Sequence, residues 1–344
     1  MPRFAILAEQ SFNYLYSKTG NTLIRYRPKE VVGVIDSRFA GKTVSDILRY
    51  GGDIPVVADI EELFAFKPDT LVLGNAPQGG RISPAYKTQI VKALKAGMHL
   101  ISGMHDFLSD DPYFTDLAAT HDVTITDLRK PPTPPHFPKK SWRLRKIPVL
   151  LTIGSDCDTG KMTTAWEISR LLEEQGLNAP FIGTGQTGIL LSGRGVPVDA
   201  VVADFMAGEI EYEMDKFKKA DLIIVEGQGS IVNMLYSGVT LGLLHGTMPD
   251  YLIMCHEPVR KFDVSDYPIP DMKMLLDIHV RLMKPFKQTK YVGMNLLTHA
   301  MSVAAARRIV EEYEEKYQIP TNDFIRFGAR NILNRITYEL TSWS

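Results

Sequence analysis

Cysteine is nearly absent, at two residues in 344, Cys157 and Cys255. Two thiols build neither a disulfide framework nor a cysteine metal site, so both are expected to be reduced. Long apolar runs are missing as well: nothing approaches the ~20 residues of a membrane span, and the start MPRFAILAEQ has no long apolar signal core. That pattern predicts a cytoplasmic protein. Excess charge of either sign is lacking, with 39 basic against 40 acidic residues, so no field gathers nucleic acid or an anionic membrane. Small molecules are the expected partners, and the apolar positions over 331–343 offer a contact for a homo-oligomer. GxGxxG is absent, which removes the case for a bound dinucleotide, and no solenoid-length repeat occurs.

What is present is an alternation of short apolar runs with helical patterns, in a chain that is 44% hydrophobic. Runs at 4–7, 31–35, 55–57, 70–73, 99–101 and 123–125 read as strands. Helices are expected over 59–66, 84–96 and 112–121. Five prolines between Arg129 and Arg145 exclude a helix or a central strand there and read as a linker. Beyond it the alternation resumes, with strands at 149–153, 180–182, 200–202, 222–225, 251–254 and 291–294. Helices follow at 161–175, stopped by Gly176, and at 302–317, where EEYEEK makes a solvated face. The expectation is an α/β chain of two domains, each a mainly parallel sheet flanked by helices: 1–130, a linker at 131–146, and a P-loop NTPase-like domain at 147–344.

The segment with the clearest chemistry runs from Gly154 to Thr164, GSDCDTGKMTT, between an apolar strand and a helix. Phosphate needs converging N–H donors, a helix N-terminus and a cation. Gly154 and Gly160 let the backbone curl and Lys161 supplies the charge, with Ser155, Asp156, Thr159, Met162, Thr163 and Thr164 completing the loop. Five residues separate the glycines and Met162 intervenes before the threonines, so GxxxxGK[ST] is not met. The order is similar to the longer loop of dethiobiotin synthetase-like proteins. Gly41-Lys42-Thr43 has no glycine-rich curl before it and is no P-loop.

Other strand ends carry candidates. Asp221 to Gly229 is an apolar strand ending in Glu226, which faces the ligand crevice of a parallel sheet; it would orient magnesium in a nucleotide enzyme or accept a proton in an acyl transferase, and otherwise cap a helix. Glycine-rich stretches at 183–188 and 204–209 suit substrate contact. They point to Gln186, Thr187, Arg194, Gln228, Gly229 and Arg260 for substrate, with Asp204 and His245 as further catalytic candidates. His245 and His256 read more simply as structural residues. Loops at 74–81 and 102–105 of the first domain are candidates too, or plain turns.

Taken in order, GSDCDTGKMTT, TGQTG, DFMAGEIE and EGQGS behind an N-terminal APQGG segment resemble a two-domain family long catalogued as of unknown function, which includes the DgcN-like D-glutamate N-acetyltransferases. The resemblance spans nearly the whole chain. It implies a Rossmann-like domain before a P-loop domain, acetyl-CoA as co-substrate and D-glutamate or a similar amino acid as acceptor. On that footing the loop at 154–164 would clamp the CoA phosphates and Glu226 would be the base, with Asp204 and His245 behind it. Backbone donors near 227–229 would serve the oxyanion, and Arg194, Arg260 or Arg81 the acceptor's carboxylates. Two alternatives stay open on the residues alone: a ligase or kinase using ATP and magnesium, or a non-catalytic nucleotide sensor.

Overall fold

The computed structural model describes residues 1–14, 16–75 and 82–343. They form two compact units, Met1–Lys130 and Pro131–Ser344.

In the first unit the elements run β1 (Phe4–Leu7), α1 (Lys18–Tyr26), β2 (Val31–Ile35), α2 (Val44–Leu48), β3 (Val56–Val57), β4 (Thr70–Leu73), α3 (Pro84–Lys95), β5 (His99–Ser102), α4 (Pro112–Thr120) and β6 (Ile125–Asp127). Unbroken runs such as FAIL and TLVL are buried at every position, as a sheet covered on both faces requires. The pairings between these strands are parallel and the order is β3-β2-β1-β4-β5-β6, the order of dinucleotide-binding sheets. The expected helix at 59–66 is a 3-10 helix, Ile60–Phe66, begun by an Asp59 capping box and ended by Lys67 at φ +49°. The last strand starts two residues later than expected. Asp122 at φ +53° and the Val123 N–H, bonded to Ala118 O at 3.0 Å, are spent on closing α4.

At the switch point of this sheet, between β1 and β4, the helix after β1 packs closely on the end of β4. The Gly20 N–H in the first turn of α1 donates to Gly74 O at 3.0 Å. A Cβ on Gly20 would lie 2.8 Å from Ile6 Cγ2, so glycine permits this close packing. Asp36, at the end of β2, is fully buried and accepts from Arg38 Nη2 at 2.7 Å and Phe12 N at 2.9 Å. An acid there would hold a ribose hydroxyl in a dinucleotide fold; here its oxygens are taken.

The second unit runs β7 (Val149–Gly154), α5 (Lys161–Glu174), β8 (Phe181–Ile182), α6 (Gln186–Ser192), α7 (Ala203–Met214), β9 (Ile223–Val225), α8 (Ser237–Thr247), β10 (Tyr251–His256), α9 (Met272–Met283), β11 (Lys290–Leu296), α10 (Val303–Tyr317), β12 (Thr321–Asn322), α11 (Phe324–Phe327) and α12 (Arg330–Thr341). Its strands are parallel in the order β12-β11-β10-β7-β9-β8, which places the switch point between β7 and β10. Residues 200–202, expected as a strand, end a 3-10 turn and enter α7. Just after β8 a single bridge forms among the described residues, Gly183 to Gly195, and it does not extend to 200–202.

The proline-rich segment, expected as a linker, belongs to the second unit and is fastened along α7. His136 N donates to Glu209 Oε1 at 2.6 Å, and its ring stacks on Tyr212 with centroids 3.7 Å apart. The N–H groups of Lys139 and Ser141 both donate to Glu211. Glu209 and Glu211 are buried, and these backbone donors are what make burying two carboxylates tolerable.

Candidate active site

Six buried residues of β7, VLLTIG, deliver the chain to the switch point, where Asp158 at φ +55° and Gly160 at φ +87° curl it into α5. The first N–H groups of α5 have no intrahelical acceptors and carry the helix's positive end, which suits an anion. Lys161 is 6% exposed; its Nζ donates to Asp156 O at 2.6 Å and lies 3.4 Å from Thr159 Oγ1. Gly154 is needed beneath it: a Cβ there would sit 2.9 Å from Nζ and 2.5 Å from Thr159 Oγ1.

A charged lattice holds the loop. Asp156, fully buried, accepts from Arg260 Nη1 at 3.1 Å, Val264 N at 2.9 Å and Asn233 Nδ2 at 3.1 Å. Arg260 also donates to Cys157 O at 2.8 Å and to Glu257 Oε2 at 2.7 Å. Burial works against its charge, and the carboxylates of Glu257 and Asp156 outweigh it, holding the guanidinium above its usual range. On the β10 side, His256 Nδ1 lies 2.8 Å from Ser155 Oγ. Burial, reinforced by Arg260, pushes this histidine down to about 4, so it stands neutral.

Three comparisons bear on the site. The profile of a family of unknown function, DUF1611, matches its P-loop domain at residues 139–333 and its Rossmann-like domain at residues 37–131. The chain belongs to the DUF1611 family. Two curated relatives are named D-glutamate N-acetyltransferase. The one from Tritonibacter scottomollicae is 38% identical over 280 residues, 80% of this chain and 84% of its own. The one from a Pseudoalteromonas species is 31% identical over 337 residues, 96% of this chain and 98% of its own. The crystal structure of a DUF1611 protein from Anabaena variabilis ATCC 29413 superposes with a TM-score of 0.93 at 31% identity, covering 98% of this chain and all of that one. The two-domain fold expected from the motifs is thus the family's fold.

Within that DUF1611 frame the expected site residues separate. Gly154 to Gly160 make the turn and Lys161 to Thr164 open α5, where Thr164 is fully buried, its Oγ1 bonded to Gly160 O at 2.9 Å and to Asn295 Nδ2 at 2.7 Å, so it braces α5 against β11. Glu226 lies at the end of β9, but its Oε2 accepts from Thr184 N at 2.8 Å and Gly185 N at 3.3 Å at the entry of α6. The glycines of TGQTG make room for it, since a Cβ on Gly188 would fall 2.2 Å from Oε2. The capping role therefore replaces the expected proton transfer through that oxygen. Gly227 N donates to Thr152 Oγ1 at 3.0 Å, so this N–H is not an oxyanion donor.

Of the other two catalytic candidates, the structure carries His245 away from the loop. Asp204 is exposed in the first turn of α7, where an acid complements the helix dipole. His245 lies in the last turn of α8, just before β10 begins, hence at the sheet edge opposite the loop; it packs edge-on against Phe286, and burial lowers its basicity. Among the substrate candidates, Gln186 is half-buried at the start of α6 and Thr187 is buried beside it. Gln228 and Gly229 follow Glu226, with Gln228 O accepting from Thr240 Oγ1 at 2.8 Å and Gly229 turning at φ +62°. Arg194 is exposed past α6, its guanidinium 5.3 Å from the centre of the Phe217 ring, and Arg260 is committed to the loop. Arg81 and most of the 74–81 loop lie outside the described residues. Sequence reasoning passed over Glu257, Asn233, Asn295 and His299, although Glu257 directly follows the last residue of β10.

Proposed function

We propose that the chain is an amino-acid N-acetyltransferase that moves acetyl from acetyl-CoA to the amino group of D-glutamate, working in the cytoplasm. The observation that carries this reading is a phosphate loop with Met162 directly after its lysine. In nucleotide hydrolases and kinases that position holds a serine or threonine hydroxyl on magnesium. A buried thioether is too soft a donor for that ion, and the hydroxyl of Thr164 is spent on Gly160 and Asn295. Without a hydroxyl at the position after the lysine, the loop offers phosphate its lysine and the first N–H groups of α5, which suits the pyrophosphate of CoA. Two relatives that align with 80% and 96% of the chain, at 38% and 31% identity, carry the D-glutamate N-acetyltransferase name, in agreement.

In this reading Lys161 leaves Asp156 O for the donor's pyrophosphate, and the first N–H groups of α5 take its oxygens. Fixed phosphates then present the thioester to the amine over the strand ends. The test is thiol release from acetyl-CoA, with and without D-glutamate, in magnesium and in EDTA, beside an ATP hydrolysis control. Metal-independent release that needs D-glutamate supports the transferase. Magnesium-dependent ATP turnover without thiol release would replace it with the ligase or kinase reading, and tight nucleotide binding with neither would favour a sensor.

A further inference from the structure

Acyl transfer to an amine needs a group that takes the nitrogen's proton, and Glu226, the acid first expected to do so, already accepts from Thr184 N and Gly185 N. We propose that His299 is the general base of the reaction and that Glu257 orients it; the inference rests on the acyl-transfer reading. His299 lies three residues beyond β11, at the carboxyl edge of the sheet. Its side chain is 54% exposed, and its Nε2 lies 3.9 Å from Oε1 of Glu257, whose side chain is 11% exposed. The other oxygen of Glu257 receives Arg260 Nε at 2.7 Å, and Arg260 in turn holds Asp156 and Cys157 of the phosphate loop. An open imidazole backed by a sheltered carboxylate is the arrangement of a general base with its orienting group. The 3.9 Å separation is loose, as such pairs are before substrate draws them together.

The turn that carries His299 is fixed against the loop. A Cβ on Gly160 would fall 2.6 Å from Leu297 Cδ1, so this segment touches the loop where α5 begins. Thr298 is clamped by Asp323 Oδ2, at 3.1 Å to its N–H and 2.6 Å to its hydroxyl. Arg326 Nη1 donates to Thr298 O at 2.6 Å and Met301 O at 3.0 Å. A rigid support with an exposed tip is what a proton acceptor needs. By contrast, His256 is 7% exposed with Nδ1 on Ser155.

In the step assigned here the acceptor's nitrogen, already in its free amine form, bonds to the thioester carbonyl carbon. His299 Nδ1 takes one of its protons while Glu257 steadies the resulting imidazolium through Nε2. Collapse breaks the carbon–sulfur bond, and the proton passes from His299 to the departing thiolate. The charged groups facing the ring and its turn are Glu257 with Arg260 behind it, and Asp323 with Arg326 beneath.

The experiment is H299A and H299Q in the full-length chain, read by thiol release with acetyl-CoA and D-glutamate at several pH values. Turnover should fall roughly 10²–10⁴-fold with the acetyl-CoA KM changed less than about threefold, and the ascending limb of log kcat against pH should vanish. Added imidazole should restore part of the turnover in H299A only. Because the side chain is exposed, thermal unfolding should stay at the wild-type temperature. A folded H299A with turnover within threefold of wild type overturns the assignment. So does a loss that imidazole leaves untouched together with a raised KM, which would mark a binding role. A wild-type protein that releases no thiol removes the acyl-transfer reading itself, and the assignment with it.

Discussion

Both units end a parallel six-stranded sheet at a switch point between two central strands, and they treat the space beyond in opposite ways. In the first, Gly74 O occupies an N–H of α1 and Arg38 neutralises the acid at the end of β2. In the second, the first turn of α5 faces a glycine-bounded loop with a buried lysine folded over it. Sheet order alone thus predicts where a ligand would sit, and the residues immediately after the strands decide whether anything fits there.

Backbone clearance gives the largest test of the contrast. At Gly227, behind the loop, a Cβ would lie 1.6 Å from Thr152 O, so G227A should cost roughly 4 kcal/mol or more and show as lost soluble yield or a collapsed denaturant midpoint. Gly41, in the lysine-bearing turn of the first unit, has open space around it and only its φ of +86° to defend, so G41A should cost ~1–2 kcal/mol. Lysine replacement separates the units by function. K161A should reduce thiol release about 100-fold or more, mainly through the acetyl-CoA KM, while K42A should leave it within twofold; equal losses would erase the distinction between the two loops.

Acid should act on the second unit at the milder pH. His256 is pushed down to about 4 by burial and then Arg260, and His279 to about 4 by burial against an opposing bond to Leu275. Unfolded histidine titrates near 6.5. Between those values the unfolded chain binds protons that the native chain refuses, so stability is full above ~6.5 and falls as pH drops toward ~4, by roughly 3 kcal/mol per histidine at the limit. Asp36 in the first unit resists burial's upward push through its bonds to Arg38 and Phe12, and its carboxyl is held below its ordinary value. Its contribution is present above the ordinary carboxylate range and lost only as pH falls below it. All three tryptophans, at 142, 166 and 343, lie in the second unit, so urea midpoints followed by their fluorescence at pH 7, 5.5 and 4.5 should fall stepwise. A flat series would mean that the two histidines are solvated. R260A should cost about 1–2 kcal/mol in stability, read by the urea midpoint, with a several-fold rise in acetyl-CoA KM as the loop loosens.

Strands and phosphate loop were legible because their signals are local: unbroken apolar runs, and glycines bracketing a lysine before a helix. Roles at the strand ends were not, because they depend on what approaches across the sheet. Glu226 was recognisable as an acid closing β9, yet only the path of the backbone at 184–185 shows where its oxygen goes. His245 looked suitable as a histidine following a strand; its place in the last turn of α8 carries it to the wrong edge. Residues 204–209 suggested a loop through Gly208, but that glycine sits inside α7, where a Cβ would fall 2.0 Å from His136 O. The glycine records the docking of the proline-rich segment and carries no substrate signal.

That docking has an evolutionary consequence. Glu211 grips only the N–H groups of Lys139 and Ser141, so past His136, whose ring Nδ1 also lies 3.1 Å from Glu209, it reads the main chain and is indifferent to side chains. Such a stretch can drift widely in composition, provided proline stays away from the donor positions and the spacing between them is kept. A one-residue insertion at 137–140 should do more harm there than several substitutions together.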